Sequence, residues 1–205
     1  MKAASLLITS LVLITISSCK NDEKKDESKE YFPVLSFLNS QVAAVDTSLY
    51  SIMRLDYVDS ARIDTSYIPR EQFRQVAAEF LSIPDISARK YRDRYVEKEQ
   101  YDELTDRVIL SYNPVDATKE EIQSEEVLIR PDAASGDKVT SIIVNRLINT
   151  RDSIVQKRLL WQVDESFQVV IMKQLPGKDE TLTRYRVTWN EPQESPDTVP
   201  VPETK

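Results

Sequence analysis

The stretch Ile154–Asp179, IVQKRLLWQVDESFQVVIMKQLPGKD, decides the fold. Val155, Leu159, Trp161 and Val163 fall on one side of a period of two, and Asp164-Glu165-Ser166 then interrupts the run. Phe167, Val169, Ile171 and Leu175 follow on one face, opposite Gln168, Met172 and Gln174. Alternation of this kind gives each strand one apolar and one polar face. Two such runs across a short polar turn read as a hairpin, and Pro176-Gly177-Lys178-Asp179 supplies the next turn.

The pattern extends in both directions. Tyr185, Val187 and Trp189 alternate with Arg184, Arg186 and Thr188. Upstream, Val108, Leu110 and Tyr112 alternate, Val127–Ile129 ends at Arg130-Pro131, and Ile142, Val144 and Ile148 oppose Ile143 and Leu147. From Arg107 onward this amounts to about six strands in an antiparallel meander. Tyr50–Asp59 also alternates and reads as a strand, with Ala61–Ile68 as its partner or an irregular connection. Ser87–Glu103 is charged, with interspersed tyrosines, and fits an exposed edge strand or a frayed helix.

Two segments carry a helical period instead. Val34, Leu35, Leu38, Val42 and Val45 make one apolar stripe within Tyr31–Asp46. Pro69–Leu81 begins on a proline, carries Glu71 in its first turn, and sets Phe73, Val76, Ala77 and Phe80 on one face. The expected fold is α+β: amphipathic helices packed on one face of a roughly six-stranded antiparallel meander. A lipocalin-like barrel is the alternative, and the early helices weigh against it.

Trp161, Phe167, Tyr185 and Trp189 lie on neighbouring predicted strands. They form a candidate binding face if the helices leave it open, suited to a lipid, peptide or glycan. Covered, they are simply core, and core is the commoner use of such aromatics.

Composition removes many chemistries. The chain has no histidine, which excludes His-based triads, His-ligated zinc and histidine general bases. Its two glycines, Gly136 and Gly177, leave no phosphate loop or dinucleotide fingerprint. The net charge of −7 makes it a poor partner for nucleic acid. Acidic side chains number 34, too many for any one carboxylate pair to stand out as a hydrolase centre. Asp102-Glu103 and Glu125-Glu126 would point to opposite faces of a strand. The acidic loops Asp56–Asp59 and Asp132–Asp137 lack the ligand series of a calcium loop. No cofactor is expected.

The N-terminus supplies an address. Lys2 precedes an apolar run from Leu6 to Ile16, too short to span a bilayer and of the length of a secretory signal. Ile16-Ser17-Ser18-Cys19 then holds the only cysteine. This resembles the lipobox of bacterial lipoproteins. The resemblance implies that Cys19 carries a diacylglyceryl group and becomes the first mature residue. Removing residues 1–18 removes Lys2 and takes the charge from −7 to about −8. With that thiol acylated, thiol nucleophiles, thiolate metal sites and disulfides are excluded as well.

Residues 20–30, KNDEKKDESKE, have no apolar side chain and read as a flexible tether. Lys20 stands where enterobacterial lipoproteins retained at the inner membrane commonly have Asp, so the outer membrane is the expected location. The layout is similar to that of uncharacterised Bacteroidota lipoproteins. The expected organisation is a signal peptide at 1–18, lipidated Cys19 and tether to 30, one globular domain at 31–190, and a Pro-rich acidic tail at 191–205. The expected role is a non-enzymatic module of the cell envelope, held to the bilayer through Cys19 and binding an apolar ligand or an envelope protein. A carboxylate-pair hydrolase and a structural subunit of an envelope complex are the alternatives.

Overall fold

The computed structural model describes residues 30–45, 47–59 and 61–190. The expectations for residues 1–29, Cys19 among them, and for the 191–205 tail lie outside the described residues.

One helix and nine strands dominate. Helix α1 (Val34–Val45) leads into β1 (Ile52–Tyr57) and β2 (Ile63–Ile68). Two single helical turns follow, α2 (Phe73–Val76) and α3 (Ala78–Leu81). Then come β3 (Tyr95–Asp102), β4 (Arg107–Pro114), β5 (Ile122–Arg130), β6 (Lys138–Thr150), β7 (Ser153–Gln162), β8 (Ser166–Gln174) and β9 (Thr181–Thr188). All strand pairs are antiparallel, and the sheet order is β2-β1-β9-β8-β7-β6-β5-β4-β3. Seven strands run as a continuous meander from β3 to β9, and the β1–β2 hairpin adds to β9.

Two features differ from the sequence expectation, the number of strands and the helical layer. The sheet has nine strands rather than about six, because the expected strand within Tyr50–Asp59 joins it as β1 and the polar segments Ile63–Ile68 and Tyr95–Asp102 join it as β2 and β3. These two are the edges, where few side chains need burial, so they carry little apolar alternation. The sheet is open, in line with the expected meander and not the barrel alternative, since β2 and β3 each pair on one side only. The helical layer is also smaller than expected. Pro69–Leu81 is not one helix but a 3₁₀ turn at Arg70–Gln72 followed by α2 and α3, with Ala77 off the helical ψ between them. No Gly or Pro within Arg70–Leu81 marks that break. Packing sets it, because Phe73, Ala77 and Phe80 are all fully buried.

The face of the sheet beneath the helical segments is termed inner. Its central row runs Leu110, Val127, Ile142, Trp161, Phe167 and Val187 across β4 to β9. The adjoining row runs Tyr112, Glu125, Val144, Leu159, Val169 and Tyr185. Val34, Leu38, Val42 and Val45 of α1 close over this surface at helical spacing. Arg70 donates to the Val45 carbonyl at the C-terminus of α1 (2.5 Å) and to the Tyr50 carbonyl (2.9 Å), a favourable place for a cation. At the rim, Lys157 Nζ bonds Glu79 Oε2 at 2.6 Å and Arg146 pairs with Glu121, so charged side chains seal the layer where burial ends.

A bulge interrupts β5. Register shifts between Ile122 and Ser124, where Gln123 is the extra residue. It lets Ile122 and Glu125 both face inward, which strict alternation forbids. Gln123 Nε2 donates to the Ala117 and Glu120 carbonyls and so ties the preceding loop to the bulge.

Candidate functional site

Trp161, Phe167, Tyr185 and Trp189 share the inner face, as their alternation requires. The helical segments lie on them. Phe73 contacts Trp161, Phe167 and Trp189, with its ring centroid 5.2 Å from that of Trp189. Phe80 sits 5.1 Å from both Trp161 and Phe167, and Trp161 stacks on Phe167 at 5.3 Å. Trp161 and Phe167 have no exposed surface. Burial and the nearby Glu79 push the Tyr185 hydroxyl up to about 12, and the Arg54 guanidinium lies 4.1 Å from its ring. All four side chains are buried and packed beneath the helical segments.

The helices leave a different part of the inner face open, at the β3–β4 end. A cleft of about 470 Å³ is lined there by Glu30, Tyr31, Phe32, Pro33, Ser87, Glu97, Glu99, Leu110 and Tyr112. Glu97 and Glu99 stand two residues apart on β3 and face the same way, opposite Tyr112 and Leu110 of β4. No lysine or arginine is among the described residues that line it.

Its floor is held by tyrosines. Tyr31 Oη lies 2.5 Å from the Tyr95 carbonyl and 2.6 Å from that of Arg92, where it donates. Tyr112 Oη accepts from the Phe32 N–H at 3.1 Å. The Tyr31 and Tyr112 rings pack at 5.1 Å. Burial first, then nearby carboxylates, raise the hydroxyls of Tyr31, Tyr95 and Tyr112 above the ordinary range. Glu97 acts on Tyr31 and Tyr112, and Glu120 on Tyr95. All three therefore stay neutral at physiological pH, as hydrogen-bonding walls rather than acids. Glu120 is nearly buried and pairs with Arg94 at 2.5 Å.

Glu125 lies one strand further in, between Tyr112 and Val144. It is 1 % exposed, and its Oε1 has no partner among the described residues. Burial, with a smaller push from Asp85, raises its carboxyl to about 8. It does not line the cleft. Its neighbour Glu126 is on the outer face, as strand alternation predicts for this pair.

The acidic loops are used by their own turns. Asp132 accepts from the Ala134 and Ser135 N–H groups and from Ser135 Oγ, which holds its carboxyl well below the usual range. Asp59 accepts from the Ala61 and Arg62 N–H groups. Asp102 accepts from the Leu104 N–H and the Thr105 hydroxyl.

Sequence reasoning did not single out the β3–β4 cleft, because Glu97 and Glu99 read as ordinary surface charges. The available signal was the alternation of Tyr95, Glu97, Glu99 and Tyr101, which puts two carboxylates between two aromatics on one face. No family model matches this chain, and neither a curated protein nor a solved structure matches it.

Proposed function

We propose that this chain is a lipid-anchored protein of the cell envelope whose sheet domain binds a guest without chemical turnover. The cleft beside β3 carries the binding half of the reading. Three carboxylates, Glu30, Glu97 and Glu99, line an aromatic-floored cavity with no cation among its described lining residues. Its complement is a cationic segment with apolar flanks, such as a basic stretch of another envelope protein. The charges would meet the carboxylates and the flanks would cover the partly exposed Phe32 and Leu110. The free edge of β3 adjoins the cleft, so an extended guest also finds unpaired backbone groups there.

The anchoring half rests on the lipobox resemblance at Ile16–Cys19 and on the charged run after it. More than one acyl chain makes attachment stable. Among the described residues no helix is long and apolar enough to cross a membrane. Lys20 after the acylated cysteine favours the outer membrane.

Each half has its own test. Cys19→Ala is expected to abolish palmitate incorporation and release the chain from the membrane fraction; undiminished labelling would refute the anchor. For the cleft, titration calorimetry with a short peptide alternating lysine and leucine is expected to detect binding that weakens with salt. Glu97→Gln with Glu99→Gln is expected to weaken it by roughly three- to tenfold, since each exposed charge contributes less than about 1 kcal/mol. Equal affinity of the double variant would remove the cleft from the account.

A further inference from the structure

We propose that the free edge of β2 pairs with the β2 edge of a second copy, antiparallel, with Thr65 on the two-fold axis. The phase of the β1–β2 hairpin exposes the required groups. Val58 N–H donates to the Arg62 carbonyl at 3.0 Å, which fixes that pair as a hydrogen-bonded one. Pairs then alternate along the ladder. Asp56–Asp64, Arg54–Ser66 and Ile52–Ile68 exchange bonds, whereas Tyr57–Ile63, Leu55–Thr65 and Met53–Tyr67 do not. The N–H and C=O groups of Ile63, Thr65 and Tyr67 therefore point away from β1, along an edge that pairs with no other strand. Their side chains lie on the outer face, and Ile63 and Tyr67 are 52 % and 67 % exposed.

The sequence of β2 is self-complementary in one register. Centring on Thr65 sets each Ile63 across from Tyr67 of the other copy and each Asp64 across from Ser66. All three outward-facing pairs can bond, giving about six backbone hydrogen bonds. Aliphatic–aromatic cross-strand contacts add to them. Shifting the axis to Asp64 opposes two aspartates, and shifting it to Ser66 brings Arg62 against Arg70, both unfavourable.

The opposite edge of the sheet is protected against the same event. Val115 N–H donates to the Arg94 carbonyl at 2.8 Å, so the backbone N–H and C=O groups of Tyr95, Glu97, Glu99 and Tyr101 in β3 point away from β4. Self-pairing there sets Glu97 or Glu99 against a glutamate in the central registers. Charged side chains are the usual device for blunting an edge. β3 has it on its outward-facing residues and β2 does not.

Sedimentation velocity and hydrogen exchange on the full chain test this. The expected result is a concentration-dependent dimer, with amides of Ile63, Thr65 and Tyr67 gaining protection on dimerisation while those of Glu97 and Glu99 do not. Thr65→Pro removes an outward N–H without breaking a β1 bond, and Thr65→Lys opposes two cations at the axis. Each is expected to weaken dimerisation by roughly tenfold or more. A monomer at all concentrations would overturn the proposal, as would a dimer that survives both substitutions. Protection of these amides only on adding another protein would assign the edge to that partner and overturn self-pairing. The exchange data on the unaltered chain decide the matter even if a variant fails to fold.

Discussion

Phe73→Ala is expected to destabilise the domain by about 3–5 kcal/mol, the usual cost of deleting a buried aromatic. Phe73 has no exposed surface and touches three aromatic rings of the sheet. Removing it leaves a cavity that Trp161 and Phe167, stacked on each other, cannot easily fill. Aromatic contacts of this kind add about 0.5–1.5 kcal/mol each beyond area burial. Urea denaturation measures the loss. As a contrast, Leu49→Ala at a 96 % exposed position is expected to change stability by less than about 0.5 kcal/mol. A mild effect at Phe73 would mean that the aromatic face is open and available to a ligand.

Glu125 is expected to make the folded state weaken as pH rises. Below about pH 4.5 its carboxyl is protonated in folded and unfolded chains alike and contributes no slope. Between there and its folded value of about 8, the folded chain holds a proton that the unfolded chain has lost. Stability therefore falls with increasing pH through this window and levels off above it. The loss reaches about 3 kcal/mol by pH 7. Glu125→Gln removes the titration while keeping the shape. The variant is expected to match the parent near pH 4.5 and to melt roughly 10–15 °C higher at pH 8. Parallel stability curves for the two proteins would show that the Glu125 carboxyl is not held protonated.

That such a carboxyl faces inward follows from its place two residues before Val127 on the same face of β5. Without the bulge at Gln123, Ile122 and Glu125 could not both face inward. An extra residue of this kind has no composition signature in Ile122–Glu126, so the inward turn of Ile122 could not be read from spacing. The central strands were legible because both of their faces follow period two, from Val155 through Trp189. The edge strands were legible only as one of two alternatives each, because neither face of Ile63–Ile68 or Tyr95–Asp102 is buried enough to demand apolar residues. Helix α1 was legible from Val34, Leu38, Val42 and Val45. The break in Pro69–Leu81 was not, since it comes from seating Phe73 and Phe80 on the same ring cluster. The aromatic residues were legible as one face. Whether that face was a groove depended on tertiary cover, which no local pattern encodes.

The site obeyed the same logic. Glu97 and Glu99 gain meaning only when α1 and its leading segment Tyr31–Pro33 stop short of β3 and leave Leu110 partly accessible beside the buried Tyr112. Their strand was visible as a candidate edge, but the cavity beside it was not.

The central claim is that guests are received at the β3–β4 end of the inner face and not at the tryptophans. Amide chemical-shift mapping on the full chain, titrated with the lysine–leucine peptide, tests it most directly. Shifts concentrated at Phe32, Glu97, Glu99, Leu110 and Tyr112, and lost in the Glu97→Gln, Glu99→Gln variant, are the predicted result. Shifts centred on Trp161, Phe167 and Trp189, or none near β3, would contradict it.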